Sequence, residues 1–240
     1  MGARTAAEDQ AYFSFRESLA ERSFDVGDLD HFSLFVGIHN IARKKFLLDQ
    51  LEATLDIAGH VYEFGTWRGA TLVLLAEWLR LRRPQGNKIL FGFDAFEGLA
   101  AGTAEDGAAL GRYTGAYRAD EQGLKELLGA RGLDPFVQLV VGNVVDTVGP
   151  HFANAPFPKV SFALMDMDLY TPTHAALEHV LPNLVPGGRI LFDEGTSEEW
   201  EGEQRALSFL VDEAERLGVR YTLEENDLTR QPTTVFVRRA

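Results

Sequence analysis

The sequence contains no cysteine, little positive charge for its size, and no apolar run long enough to cross a bilayer. Without cysteine there is no disulfide, no thiol nucleophile and no thiolate metal site, so any metal would need oxygen or imidazole ligands. With 23 Lys and Arg against 36 Asp and Glu, the net charge of -13 repels polyanions, which argues against nucleic acid or an anionic membrane as partner. The stretch Met1 to Ala20 carries Arg4, Glu8, Asp9, Arg16 and Glu17 and so lacks the apolar core of a secretory signal. These absences predict a soluble cytoplasmic protein that acts on a small molecule.

What is present is enough apolar residue for one substantial core, 45% of 240 residues. From Asp30 to Gly59, Phe32, Phe35, Ile38, Ile41, Phe46, Leu47, Leu51 and Leu55 recur at roughly helical spacing. Residues 1–59 are therefore expected to form an N-terminal helical extension, a candidate substrate lid or dimer surface, ahead of a main domain at 60–240. After Gly59 short apolar runs alternate with longer amphipathic ones, the pattern of a doubly wound, Rossmann-like α/β sheet. Strands are predicted at 60–65, 88–94, 136–141, 160–166, 189–193, 220–224 and 233–238. Helices are predicted at 69–83, 121–131, 173–184 and 201–217, supplying the crossovers that parallel strands need. The last two strands have only a short polar connection and should pair antiparallel. The Gly- and Ala-rich stretch from Leu99 to Ala119 has no clear period and reads as a loop, either an ordinary one or one beside the site.

Open parallel sheets bind ligands outside the carboxyl ends of their strands. Glu63-Phe-Gly-Thr-Trp-Arg-Gly69 occupies such a place after the first strand. Gly65 permits a tight turn with close backbone approach, and Gly69 lets the next helix start near the strand. A dinucleotide site would want a glycine where Trp67 stands, which disfavours pyrophosphate and a nicotinamide oxidoreductase. Glu63 suits a ligand with an ammonium group and a sulfonium, and Asp94, ending the second strand, suits ribose hydroxyls. Thr66 belongs to the same cofactor turn. Asn143, after the third strand, is a candidate for bonding an adenine base, a simple turn being the alternative.

A second constellation follows the fourth strand. Asp166 and Asp168 should share a face if the strand alternation continues, and the next strand ends in Asp193-Glu194. Carboxylates crowded at one cleft repel unless a cation lies between them, and an all-oxygen set suits Mg²⁺ or Mn²⁺ better than zinc. Asp166, Asp193 and Glu194 are the expected metal ligands, with helix or loop capping as the alternative for Asp168 and Glu194. Tyr170 and His174, just beyond the motif, are candidates to line a substrate site; Tyr113 and Tyr117 are candidates to pack against an acceptor ring, with core or rim packing as the default. The remaining histidines show no partner pattern.

At these blocks the sequence resembles the macrocin O-methyltransferase family, over most of Ile38 to Arg239. The pieces that carry the resemblance are Glu63-Phe-Gly-Thr-Trp-Arg-Gly-Ala70, Phe93-Asp-Ala-Phe-Glu-Gly98, Asp166-Met-Asp-Leu-Tyr-Thr-Pro-Thr173 and Leu181-Pro-Asn-Leu-Val-Pro-Gly-Gly188. The resemblance implies a class I methyltransferase sheet, S-adenosylmethionine as donor and a hydroxyl acceptor on a small molecule, above all a sugar of a glycosylated natural product. It also implies Mg²⁺ on acids matching Asp166, Asp193 and Glu194, with Asp168 as general base. Family members usually carry Asp-Asp at the pair, so Glu194 departs from the pattern. A catechol-type acceptor, or a relative that binds the cofactor without methylating, remain the competing readings at this point. Oligomeric state is open, a homo-oligomer being compatible with the apolar N-terminal helices.

Overall fold

The computed structural model describes residues 38–83, 87–195, 200–226 and 233–240. Its elements run α1 (Ile38–Glu52), β1 (His60–Phe64), α2 (Ala70–Arg82), β2 (Leu90–Asp94), two 3-10 turns (Ala104–Asp106 and Ala108–Tyr113), α3 (Glu121–Ala130) and β3 (Val137–Val141). They continue with α4 (Val144–Asn154), β4 (Val160–Met165), α5 (Tyr170–Asn183), β5 (Leu184–Phe192), α6 (Glu201–Arg216), β6 (Tyr221–Glu225) and β7 (Thr234–Arg238). No described helix is long and apolar enough to cross a membrane.

The strands form one seven-stranded sheet in the order β3-β2-β1-β4-β5-β7-β6. From β1 the chain winds outward through β2 and β3, then returns to place β4 on the other side of β1. This reversal leaves a crevice above the carboxyl ends of β1 and β4, where open α/β sheets hold ligands. Register makes those ends flush. Phe64 pairs with Phe93 on one side and Met165 on the other, and Met165 pairs with Phe192. Gly65, Asp94, Asp166 and Asp193, each one residue farther on, therefore lie in a row along one edge. β7 runs antiparallel between β5 and β6, as the short final connection predicts.

The central strands are buried on both faces, which is why they read as nearly continuous apolar runs. On one face Tyr62, Phe64, Phe93 and Met165 pack with Val148 and Leu177 from α4 and α5. On the other Val61, Leu164 and Leu191 pack with Leu72 and Leu75 of α2 and with Leu47 and Leu51 of α1. The described part of the 1–59 extension is thus a layer of the main core.

The clearest differences from the sequence reading lie at β5, at α4 and in the Leu99 to Ala119 stretch. β5 begins at Leu184 rather than 189, because the segment before Arg189 already pairs with β4 at Val160. A helix at Val144–Asn154 was hidden by Gly149 and Pro150, although Asn143 caps it by accepting from Val145 N at 3.0 Å. The Leu99 to Ala119 stretch, expected as a loop, contains the two 3-10 turns. The phenylalanines 32 and 35 of the predicted extension lie outside the described residues.

Candidate active site

The turn after β1 is built by backbone conformations that few residues tolerate. Gly65 has φ 93° and Gly69 φ 79°, and Trp67 between them also sits in the left-handed region at 47°. A side chain at Gly65 would collide with the Asp166 carbonyl oxygen and lie 2.6 Å from its carbon. The glycine is required because the turns after β1 and β4 touch there. Asp94 holds the turn from β2: Oδ2 accepts from Trp67 N and Oδ1 from Phe96 N, each at 2.6 Å. A carboxylate oxygen has a further lone pair, so both oxygens retain capacity for other donors.

Glu63 and Thr66 of this turn are buried, and Glu63 Oε2 and Thr66 Oγ1 have no hydrogen-bond partner among the described residues. A buried unpaired polar atom costs about 1–3 kcal/mol, which a ligand group bonded to either atom would recover. Burial, reinforced by the nearby Asp166 carboxylate, pushes the Glu63 carboxyl well above the ordinary range. A cationic ligand group would reverse that shift.

Across the crevice the acids of β4 and β5 converge on one cation. Arg43 of α1 donates from Nε to Asp193 Oδ1 at 3.1 Å and from Nη2 to the same oxygen at 2.9 Å. Nη2 also reaches Asp166 Oδ2 at 3.1 Å, and Nη1 reaches Thr71 Oγ1 at 3.3 Å. Burial disfavours the guanidinium charge, but Asp193 and Asp166 more than offset it. Asp166 is itself driven well above its ordinary pKa by burial and by Asp193, with Asp168 and Glu194 adding to the repulsion. Among the described residues no three acid or imidazole side chains are gathered so as to hold a metal ion.

Asp168 reaches the crevice by a different route from the one predicted. β4 stops at Met165, so alternation does not carry to residue 168; instead Leu169 N donates to Met167 O at 2.7 Å and Asp168 has φ 64°. That is the strained, positive-φ form of the γ-turn. Burial and Asp193 push the Asp168 carboxyl up to about 7.

Two buried acids that sequence reasoning missed hold this turn. Glu203 of α6 accepts from Met167 N at 3.1 Å and Asp168 N at 3.2 Å with Oε1, and from Glu194 N at 3.0 Å with Oε2. Asp106, from the supposed loop, accepts from Tyr170 N at 2.6 Å. Arg43 was missed as well. It opens an Arg-Lys-Lys run that reads as a solvated helix face, and Glu203 reads as a surface acid in a helix first turn.

At the mouth, aromatic rings connect the two halves. Trp67 meets Tyr117 edge-on at 5.5 Å, Tyr117 stacks on Tyr113 at 6.5 Å, and Tyr113 lies 4.9 Å from Trp200. Burial and then Asp168 raise the Tyr117 pKa, which places that phenol close to the acids. His174 packs against Phe209 at 4.1 Å and Tyr170 at 5.3 Å, with Nδ1 3.9 Å from Glu178. The Phe209 contact joins α5 to α6, whereas Tyr170 and Glu178 are neighbours of His174 on α5 itself. Asn143 caps α4 and keeps its amide nitrogen for another partner.

Sequence and fold both match known proteins. The family described as macrocin-O-methyltransferase (TylF) matches residues 8–207. The 8-demethyl-8-(2,3-dimethoxy-alpha-L-rhamnosyl)-tetracenomycin-C 4'-O-methyltransferase of Streptomyces olivaceus is 26% identical over 66% of this chain and 61% of its own. The demethyldecarbamoylnovobiocin O-methyltransferase of Streptomyces niveus is 26% identical over 58% of this chain and 53% of its own. The chain thus spans less than two thirds of the length of either relative. The crystal structure of a calicheamicin methyltransferase superposes with a TM-score of 0.80 at 25% identity, covering 99% of this chain and 94% of that one.

Proposed function

Because the chain belongs to the macrocin-O-methyltransferase (TylF) family, with the class I methyltransferase sheet, we propose that it methylates a hydroxyl of a small molecule with S-adenosylmethionine as donor. The observation that carries this reading is Glu63 Oε2, a buried carboxyl oxygen at the switch point of the sheet with no partner among the described residues. Its natural complement is an ammonium group. Asp94, fixed by two backbone N–H groups, takes the ribose hydroxyls; Thr66 and the glycine turn line the methionine and ribose, and Asn143 offers its amide to the base. S-adenosylmethionine supplies a methyl group made electrophilic by a sulfonium.

The chain's own task is to prepare the acceptor. A sugar hydroxyl is a poor nucleophile at neutral pH, so it must lose its proton as its oxygen bonds to the methyl carbon and the carbon–sulfur bond breaks. Asp168 takes that proton. A carboxyl poised near 7 is ionised often enough to act and basic enough to be useful, the compromise that general-base catalysis favours. The ring row Trp67, Tyr117 and Tyr113 walls the mouth and orients the acceptor against Asp168.

A divalent cation belongs to the same proposal. The donor chemistry fits: Asp166 and Asp193, oxygen donors from adjacent strand ends, already share one cation, and Asp168 and Glu194 lie near enough to add to the repulsion at Asp166. Mg²⁺ or Mn²⁺ would be held by Asp166, Asp193 and Glu194 once Arg43 releases the first two. When bound it would lower the pKa of a coordinated hydroxyl. The acceptor class, a sugar of a glycosylated natural product, is supported by the rhamnosyl-tetracenomycin and novobiocin-type substrates named for the two Streptomyces relatives. Transfer of labelled methyl to a panel of glycosides, and its loss in Asp168→Asn, tests the proposal.

A further inference from the structure

We propose that Glu203 is a positioning residue, a clamp that fixes the Met167–Asp168 turn and the Asp193–Glu194 loop in one relation. The inference rests on the reading of Asp168 as base, and it assigns a role to a residue outside the strand ends. Glu203 is fully buried in the first turn of α6, where its carboxyl accepts from three backbone N–H groups of the described residues. Two belong to the turn after β4 and one to the loop after β5. One carboxylate therefore ties together the two loops that carry Asp168 and the acid pair.

A purely structural acid would not be placed so. Burying a carboxylate among Asp168, Asp166 and Asp193 is unfavourable, and a neutral hydrogen-bonding side chain would stabilise one loop with less repulsion. A carboxylate alone offers acceptors from both oxygens, which is what three donors on two loops require. The geometry also explains how Asp168 keeps φ 64°, a strained conformation for a non-glycine residue. Oε1 receives the N–H of Asp168 and of the residue before it, holding the strained turn closed. Gly202 provides the bed: a side chain there would run into Asp106 Oδ1 and lie 2.6 Å from Tyr170 N and 3.0 Å from Asp168 O. With Asp106 on Tyr170 N, the whole turn from Met167 to Tyr170 rests on α6 and the 3-10 segment.

Glu203→Gln replaces one acceptor oxygen by an NH₂ donor and so opposes at least one of the three N–H groups. The experiment compares wild type, Glu203→Gln and Asp168→Asn in amide hydrogen exchange at Met167, Asp168 and Glu194, in S-adenosylhomocysteine affinity, and in kcat. A clamp predicts that Glu203→Gln quickens exchange on both loops together. It also predicts a fall in kcat of about 10²-fold, the scale of a small misplacement, with affinity held within about threefold. Exchange that changes on one loop only, a wild-type kcat, or a parallel loss of affinity and kcat would overturn it. Should Glu203→Gln not fold, Gly202→Ala displaces the same turn without touching the carboxylate. The same split between kcat and affinity is then expected, and a wild-type kcat would refute the clamp. A wild-type rate in Asp168→Asn refutes the base instead, and the exchange result still decides the clamp.

Discussion

Arg43 and Asp193 meet through two donors on one acceptor, Nε at 3.1 Å and Nη2 at 2.9 Å from Asp193 Oδ1. The same Nη2 reaches Asp166, so a side chain from α1 stands where the two strand-end acids would share an ion. Arg43→Gln removes the guanidinium that Asp193 and Asp166 share. Breaking a largely buried pair costs roughly 3 kcal/mol, or a fall in Tm of about 10 °C for a domain of this size. Mn²⁺ should restore most of that loss in Arg43→Gln while moving wild type less, as read by thermal unfolding in chelator and in added Mn²⁺. A variant whose Tm ignores Mn²⁺ would show that guanidinium and ion do not compete for one seat.

Glu63→Gln removes the carboxyl that would ionise against the ammonium of the donor. A charge-assisted hydrogen bond is worth about 1.5–3 kcal/mol, so affinity for S-adenosylmethionine should drop by roughly 10- to 10²-fold by calorimetry. The unliganded variant should be no less stable than wild type, because Glu63 Oε2 has no partner among the described residues and the carboxyl lies among other acids. Unchanged affinity would place the ammonium elsewhere.

The pH dependence follows from Asp168, pushed to about 7 by burial and Asp193. A base must be ionised, so kcat should rise with pH up to about 7 and level off above it. Stability runs the other way. The folded carboxyl holds its proton up to about 7 and the unfolded one only to about 3.9, so this group's contribution falls as pH rises through that window. Asp168→Asn should flatten both the acid limb of kcat and this part of the stability curve. A wild-type kcat that is flat from pH 5.5 to 8 would contradict the assignment.

Where the strand-end acids and the glycines of this candidate site lie is legible in the sequence. The acids at strand ends and the glycines after β1 are legible because a parallel sheet gathers its ligand groups at one edge, and local sequence reveals where each strand stops. Register then brings Gly65, Asp94, Asp166 and Asp193 into a row. Arg43, Asp106 and Glu203 escaped because their roles depend on distant packing. Arg43 lies 150 positions from Asp193 and Glu203 lies 35 from Asp168, and neither sits in a periodic pattern that differs from an ordinary charged helix face. Asp168 was assigned to the crevice through strand alternation, whereas it arrives there through a strained turn. α4 was missed because a proline and a glycine within eleven residues outweighed its apolar face.

The central claim is methyl transfer to a sugar hydroxyl with Asp168 as base. Its most direct measurement incubates the protein with methyl-labelled S-adenosylmethionine, Mg²⁺ and matched pairs of glycosides and their aglycones, and locates the label by mass spectrometry and NMR. The account predicts label on a sugar oxygen of the glycosides alone, reduced about 10²-fold or more in Asp168→Asn. Label on a phenolic oxygen of the aglycones, or equal label in Asp168→Asn, would contradict it.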